Sequence, residues 1–147
     1  MTERTLTSTA VQNRAVLRTP GVNAQFATFS FKQFNEPVSV TLVLQMIAVP
    51  DQSRILDMWV RNDNIADGAF VVGDSSLSNR FITTTSLAAG GLTRMNVPAG
   101  IGYKVSLTAS DVNGFYTINL SINSGTPTAT ATGTIAMAVY YTVDNPT

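Results

Sequence analysis

Apolar and small polar residues alternate with a period of two along most of this chain. The clearest alternation covers residues 38–46 and 116–122, where every second residue is apolar. Successive side chains of a β-strand point to opposite faces of its sheet, so this period predicts strands with one buried face. Less regular runs predict further strands at residues 27–31, 56–60, 69–72, 80–83, 92–97, 103–108 and 128–143.

Turn-forming residues separate the predicted strands. Residues 49–52 predict a turn, residues 74–79 a longer loop, and Asn113-Gly114 a hairpin, because this pair tolerates the positive φ angles of a type I′ turn. With no helical periodicity, about eight to ten strands indicate an all-β fold, an antiparallel β-sandwich of jelly-roll-like topology. The small residues at 128–132 suggest that the last strand lies at a sheet edge, where another chain covers it.

The first 22 residues differ from the rest of the chain. They are polar, rich in threonine, and end at the turn signal Thr19-Pro20-Gly21. We interpret residues 1–22 as an N-terminal arm and residues 23–147 as the sandwich domain. Residues 11–18 can pair as a short strand but cannot fold alone, so we expect the arm to lie along another subunit or across the edge of the sandwich.

The composition favours association and argues against several partners. The 147 residues include nine basic and nine acidic side chains, and only 12% of residues are charged. A balanced charge argues against nucleic acid, because phosphate binding needs clustered lysine and arginine. No apolar run reaches the length of a signal peptide or a membrane span, so we expect no membrane partner and assembly in a cytoplasm. A surface with so few charges is typical of a subunit that assembles.

The residue types leave little room for catalysis. The chain contains no histidine and no cysteine, which excludes Ser-His-Asp and Cys-His mechanisms and the usual zinc sites. The only lysines are Lys32 and Lys104, both predicted on solvated strand faces, and the only glutamates are Glu3 and Glu36. We therefore predict that the protein is not an enzyme and that it needs no cofactor.

One acidic cluster has the spacing of a calcium loop. Asp63, Asp67 and Asp74, with Gly68, match the separation of its first and last ligands. However, Ile65 occupies the third position, and the last position is Asp where a bidentate Glu is expected. We therefore favour aspartates that accept hydrogen bonds from turn backbone and predict no metal, with a calcium site other than an EF-hand as the alternative.

Aromatic and arginine residues are the candidates for a contact surface. Trp59 is predicted to point away from Leu56, Met58 and Val60, so that its indole either covers the second side of the sheet or anchors a partner. Arginine is favoured at protein interfaces, although these residues can equally be ordinary surface arginines. The predicted interface residues are Arg14, Arg18, Trp59, Arg61, Arg80 and Arg94. The aromatic residues that can form a sugar-stacking or protein-contact surface are Trp59, Tyr103, Tyr116, Tyr140 and Tyr141.

Four short segments together resemble a known class of protein. Residues 54–60 (RILDMWV), 70–74 (FVVGD), 79–82 (NRFI) and 102–103 (GY) have the texture of small β-sandwich virion proteins of tailed bacteriophages, including cyanophages. The resemblance covers residues 38–108. It implies a head decoration, or cement, subunit on the capsid surface, assembled in the host cytoplasm. The implied partners are further copies of the chain, as a homotrimer, and the major capsid protein.

A second function from the same residues is a carbohydrate- or receptor-binding module of a phage fibre or tail. Its site would include Trp59 and the loop at residues 62–68. Carbohydrate binding by this site would separate it from the structural function.

Overall fold

The computed structural model describes residues 4–7, 21–30, 42–65, 68–88, 90–108, 111, 114–124 and 133–143, with backbone only at 4–7 and 123–124. These residues form nine β-strands and one short 3₁₀ turn at Pro98–Gly100. The strands are β1 (Arg4–Thr7), β2 (Val22–Ser30), β3 (Leu42–Pro50), β4 (Ser53–Asn62), β5 (Ala69–Gly73), β6 (Ile82–Ser86), β7 (Gly91–Arg94), β8 (Phe115–Ser124) and β9 (Thr134–Val143).

The strands form two sheets that pack face to face as a β-sandwich. One sheet has five strands in the order β1-β3-β8-β5-β6, and the other has four in the order β2-β9-β4-β7. All pairs are antiparallel except β1 and β3, which run parallel. Except for β5 and β6, consecutive strands from β2 to β9 lie in different sheets. The predicted all-β antiparallel sandwich is therefore confirmed.

The core lies between the sheets, and the strongest alternating patterns fill it. In β8 the inward side chains include Tyr116, Ile118 and Leu120, each at most 1% exposed. In β9 they are Ile135, Met137, Val139 and Tyr141, all fully buried. The period of two thus identified the inward faces of both strands, because each faces a sheet on one side only.

A β-bulge in β4 overturns one predicted face. The pairing of β4 with β9 shifts between Ile55 and Asp57, so Leu56 has no partner in the ladder. Ile55 is fully buried, whereas Leu56 is 37% exposed, contrary to the prediction. Met58 and Val60 point inward as predicted. A bulge adds one residue to a strand, which exchanges the two faces on one side of it.

Of two features predicted next to β4, the turn before it is present and the strand at residues 103–108 is not. The turn predicted at residues 49–52 is present: Asp51 and Gln52 link β3 to β4, with Gln52 at a φ of 65°. The strand predicted at residues 103–108 is wrong, because the segment forms only one isolated bridge, between Arg54 and Lys104. The segment follows the start of β4 and does not form a hairpin with β8; its alternation reflects the burial of Val105.

The position of the last strand differs from expectation. β9 lies between β2 and β4, so the part of the last strand at residues 134–143 is central and not at an edge. Its backbone groups are satisfied by two neighbours of the same chain. At the other end, β1 extends the five-stranded sheet beside β3. The described residues do not include the short strand predicted at residues 11–18, with Arg14 and Arg18, or residues 125–132.

Candidate functional site on the outer face of the four-stranded sheet

A row of four residues crosses the outer face of the four-stranded sheet. Strand register places Phe26 opposite Ala138, Ala138 opposite Trp59, and Trp59 opposite Arg94. The row therefore contains one residue from each of β2, β9, β4 and β7. The rings of Phe26 and Trp59 meet above Ala138, with centroids 5.9 Å apart and planes tilted by 56°. The small side chain of Ala138, which is 5% exposed, leaves room for this contact.

Apolar side chains beside this row remain exposed to solvent. Val22 is 64% exposed, Phe26 57% and Leu92 56%, all on the same face. Next to them is a shallow depression of roughly 570 Å³. Its lining residues are Val22, Asp57, Trp59, Arg61, Leu92, Arg94 and Tyr140. We call the row, these exposed apolar side chains and the depression together the outer-face patch.

Charged groups border the apolar part of the patch. Arg94 Nη2 donates to Asp57 Oδ2 at 2.7 Å, and this hydrogen bond raises the pKa of Arg94. The other carboxylate oxygen of Asp57 accepts the Met58 backbone amide at 2.8 Å. Arg61 is exposed and forms no ion pair with any described residue. Among the described residues, the patch therefore carries one ion pair and one arginine without a counter-charge.

The structure brings together three of the predicted interface residues. Trp59, Arg61 and Arg94 all line the patch, and Tyr140 joins them. The indole of Trp59 shares its face with Asp57 and Arg61, as the alternation predicted. Sequence reasoning missed Val22, Phe26 and Leu92. The alternation contained a signal for Phe26, because its side chain points to the same face as the exposed Thr28 and to the opposite face from the buried Ala27.

The remaining aromatic candidates do not belong to this surface. Tyr116 is 1% exposed and Tyr141 is fully buried, so both serve the core and the prediction of a contact role is wrong for them. Tyr103 is partly buried and packs edge-on against Phe81, with centroids 6.1 Å apart. In the sequence these tyrosines lie on the apolar face of their alternating segments, and the apolar face of a strand in a sandwich packs against the core.

Arg80 takes part in a second cluster, around the carboxylate of Asp74. Its Nε donates to Asp74 Oδ2 at 2.5 Å, and its guanidinium lies 4.2 Å from the ring centroid of Tyr103. Tyr116 also donates its hydroxyl to Oδ2. The backbone amides of Ser76 and Leu77 donate to Oδ1, each at 2.8 Å. Arg80 is therefore engaged within its own chain.

The protonation states in this cluster follow from its contacts. Burial by itself raises the pKa of Asp74, but the hydrogen bonds from Arg80, Tyr116 and the two amides outweigh it and hold the pKa below its ordinary value. Burial and the neighbouring carboxylate both raise the pKa of Tyr116. Asp74 is thus a carboxylate whose two oxygens accept four hydrogen bonds, which suits a structural anchor better than a general base.

The aspartates of the calcium-like spacing have separate partners. Asp63 Oδ2 accepts the backbone amide of Thr134 at 2.9 Å, at the start of β9, whereas Asp74 binds Arg80 and Tyr116. Both also match the predicted role of aspartates that accept backbone hydrogen bonds, and Asp67 lies outside the described residues. In the described part of the chain, no three potential metal-ligating side chains converge. That part also contains no helix long and apolar enough to cross a membrane.

Comparison with known proteins relates the fold, and not the sequence, to phage capsids. No protein-family model matches the chain, and a search of curated proteins found no significant match. A chain in the structure of the capsid of Ralstonia phage GP4 matches with a TM-score of 0.73 and 15% identity, over 96% of this chain and 99% of that one. A chain of the capsid asymmetric unit of cyanophage Pam1 matches with a TM-score of 0.64 and 17% identity, over 89% and 95%.

A third structure agrees with these two. A chain of the acidic stable capsid structure of Helicobacter pylori bacteriophage KHP30 matches with a TM-score of 0.56 and 16% identity, over 88% of this chain and 92% of that chain. In all three cases the match runs almost from end to end of both chains, so the matched chains are of similar length to this one. The chain is therefore similar in fold to small chains found in the capsid structures of three phages.

Proposed function

We propose that this protein is a structural virion protein, a decoration or cement subunit that stabilises a phage head by bridging major capsid proteins. The observation that carries the proposal is the end-to-end match to a chain of the GP4 capsid structure, which covers 96% of this chain and 99% of that one. A match of this extent relates whole subunits and not a shared motif inside larger proteins.

The strand order supports the same assignment. We interpret the arrangement β2-β9-β4-β7 against β3-β8-β5-β6 as a jelly roll, to which β1 adds a ninth strand. Jelly rolls occur in viral capsid proteins and in lectins. The order therefore favours an assembly or binding role, and it leaves these two possibilities to be separated by the surface.

The surface favours assembly. Three large apolar side chains of the patch, Val22, Phe26 and Leu92, are more than half exposed, and only 12% of the chain is charged. Exposed contiguous apolar surface is typical of sites that contact other macromolecules. Each contact of a cement subunit can be weak, because a subunit that binds several capsid proteins at once gains avidity from their high effective concentration.

The chemistry supports stabilisation by contact rather than by catalysis. The only group whose pKa moves far from its ordinary value among the described residues is Tyr116, and its hydroxyl is committed to Asp74. The mechanism would therefore be added interface area and cross-linking of neighbouring subunits. Arg14, Arg18 and the homotrimer remain predictions of the sequence.

The test compares phage particles that lack this protein with complete particles. We expect the deficient particles to release their DNA at lower temperature and after milder osmotic shock. Adding back the purified protein should restore resistance, and its binding should saturate at a fixed number of copies per particle. Complete particles should bind no added protein and should show no increase in resistance. Equal resistance with and without the protein would contradict the proposal, as would binding that never saturates.

A carbohydrate- or receptor-binding module is the second candidate, and one observation favours it. The depression presents the aromatic side chains of Trp59 and Tyr140 beside the ion pair of Arg94 and Asp57. A glycan array with the wild-type protein and Trp59→Ala separates the candidates. Sugar binding that the substitution abolishes would favour the binding module, and no binding by either protein would favour the cement subunit.

A further inference from the structure

The outward positions of β4 have a symmetric arrangement of charge around Trp59. Asp57 precedes Trp59 by two residues and Arg61 follows it by two, so each lies about 6.6 Å along the strand from the indole position. A two-fold rotation that reverses the direction of β4 exchanges these two positions. The strand therefore presents an acid, an aromatic ring and a base in that order. An antiparallel second copy of the strand would place its base opposite the acid and its acid opposite the base.

We propose that the outer-face patch is a two-fold interface with a second copy of this chain. In this interface the two β4 strands cross face to face in opposite directions, with Trp59 of each copy near the axis. Asp57 then faces the partner's Arg61, and Arg61 faces the partner's Asp57. An interface of this isologous kind closes as a dimer. This inference goes beyond the proposed function and does not depend on it.

The hydrogen bonds at Asp57 are compatible with this pairing. One carboxylate oxygen accepts Arg94 at 2.7 Å and the other accepts the Met58 amide at 2.8 Å. An ionised carboxylate offers about four acceptor positions, so about two remain for a second guanidinium. Arg61 has no ion-pair partner among the described side chains, and a second copy would bring a carboxylate to it.

The apolar part of the patch complements the charges. Val22, Phe26 and Leu92 lie on both sides of β4, from the β2 edge of the sheet to its β7 edge. Face-to-face packing of two such sheets buries these side chains against the partner, in the way that sheets pack inside a sandwich. The depression beside Trp59 provides space for the projecting side chains of the second copy.

The size of the face sets the expected strength of the dimer. Strands of ten residues and a width of four strands give a face of about 630 Å², from a rise of about 3.3 Å per residue and a strand spacing of about 4.8 Å. Stable specific interfaces bury about 800 Å² per partner. We therefore expect a reversible dimer that dissociates on dilution into the micromolar range and is strengthened where other contacts hold two copies close.

A charge-complementation experiment tests the symmetry directly. Asp57→Arg makes both flanking positions basic, and Arg61→Asp makes both acidic, so each variant alone should dimerise at least about tenfold more weakly than the wild type. Mixed together, they should form a heterodimer, because each basic position then faces an acidic one. Native mass spectrometry distinguishes the heterodimer from both homodimers. Lys104→Asp reverses an exposed charge outside the patch and should leave dimerisation unchanged.

Fluorescence provides a second readout, because Trp59 is the only tryptophan in the chain. Its emission should shift to shorter wavelength as the protein concentration rises from micromolar to millimolar, and Arg61→Asp should abolish the shift. A protein that stays monomeric at millimolar concentration overturns the proposal. So does a dimer that is unaffected by both single substitutions, or the absence of a heterodimer in the mixture. None of these outcomes changes the result expected in the particle-stability test, so the dimer proposal and the proposed function can fail separately.

Discussion

Tyr116 donates its hydroxyl hydrogen to the carboxylate of Asp74, which fastens the loop after β5 to β8, the middle strand of the five-stranded sheet. The same carboxylate accepts Arg80 and the amides of Ser76 and Leu77. One buried charge thereby orders the loop and joins it to the core. The stability of this region should depend on Asp74 more than on any other loop aspartate.

We expect Asp74→Asn to lower the free energy of unfolding by about 2–3 kcal/mol, because it leaves the partly buried Arg80 without its counter-charge and replaces an acceptor with a donor. Urea denaturation at neutral pH measures the change. Asp51→Asn is the matched control: Asp51 accepts backbone amides through Oδ1, which an Asn oxygen can replace, so its cost should stay within about 0.5 kcal/mol. Equal losses in the two variants would contradict the anchor role.

Acid should remove the contribution of Asp74. Its folded-state pKa lies below its ordinary value of 3.8, so its stabilisation is fully present above that value and is lost as pH falls through the folded-state pKa. The stability difference between wild type and Asp74→Asn should therefore be constant from about pH 7 to pH 5 and shrink below about pH 4. Urea midpoints measured across this range test the sign. A difference that grows in acid would exclude an ionised Asp74 in the folded protein.

Alkali should act through Tyr116 in the opposite direction. The pKa of Tyr116 is raised above its ordinary value of 10.0, so its contribution is complete below that value and is lost as pH rises through the folded-state pKa. Relative to Tyr116→Phe, the wild type should be more stable by about 1.5–3 kcal/mol at neutral pH, and this advantage should decline above about pH 10. Thermal melts of both proteins give the comparison, in which the other tyrosines cancel.

Gly73 should tolerate no side chain. A Cβ built there lies 2.1 Å from the carbonyl oxygen of Leu77 and 2.5 Å from the carbonyl carbon of Ser78, because the loop folds back over the end of β5. Gly73→Ala should therefore cost about 3 kcal/mol or more. Gly114→Ala meets open space and strains only a φ of +78°, for a cost of about 1 kcal/mol. Chemical denaturation of both variants checks this order, and a reversed order would contradict the packing of the loop.

The bulge in β4 predicts unequal costs at neighbouring positions. Ile55→Ala removes a fully buried side chain and should cost about 2–5 kcal/mol. Leu56→Ala removes one that is 37% exposed and should cost less than about 1 kcal/mol. Unbroken alternation through Met58 predicts the reverse order, so denaturation of the two variants decides between the bulge and a regular strand.

The candidate surface was only partly foreseeable. The sequence predicts Trp59 and Arg61 on one face of one strand, because a period of two indicates side-chain direction without knowledge of the neighbouring strands. Arg94 joins them through the register of β4 and β7, and Phe26 through β9. Arg80, which is predicted on the same chemical grounds as Arg61, belongs to a partly buried ion pair elsewhere. Residue type alone did not distinguish these arginines, because the folded loop and the strand register decide whether a carboxylate lies beside each guanidinium.

The sequence by itself determined the all-β class, the absence of histidine and cysteine chemistry, and the inward faces of β8 and β9. These properties depend on composition and on local stereochemistry, which one strand expresses without the others. The tertiary structure alone decided the strand order, the bulge after Ile55, the central position of β9 and the row from Phe26 to Arg94. Strand pairing joins segments far apart in the chain, and their alternation is satisfied equally well beside many neighbours, so only the packed core selects one arrangement.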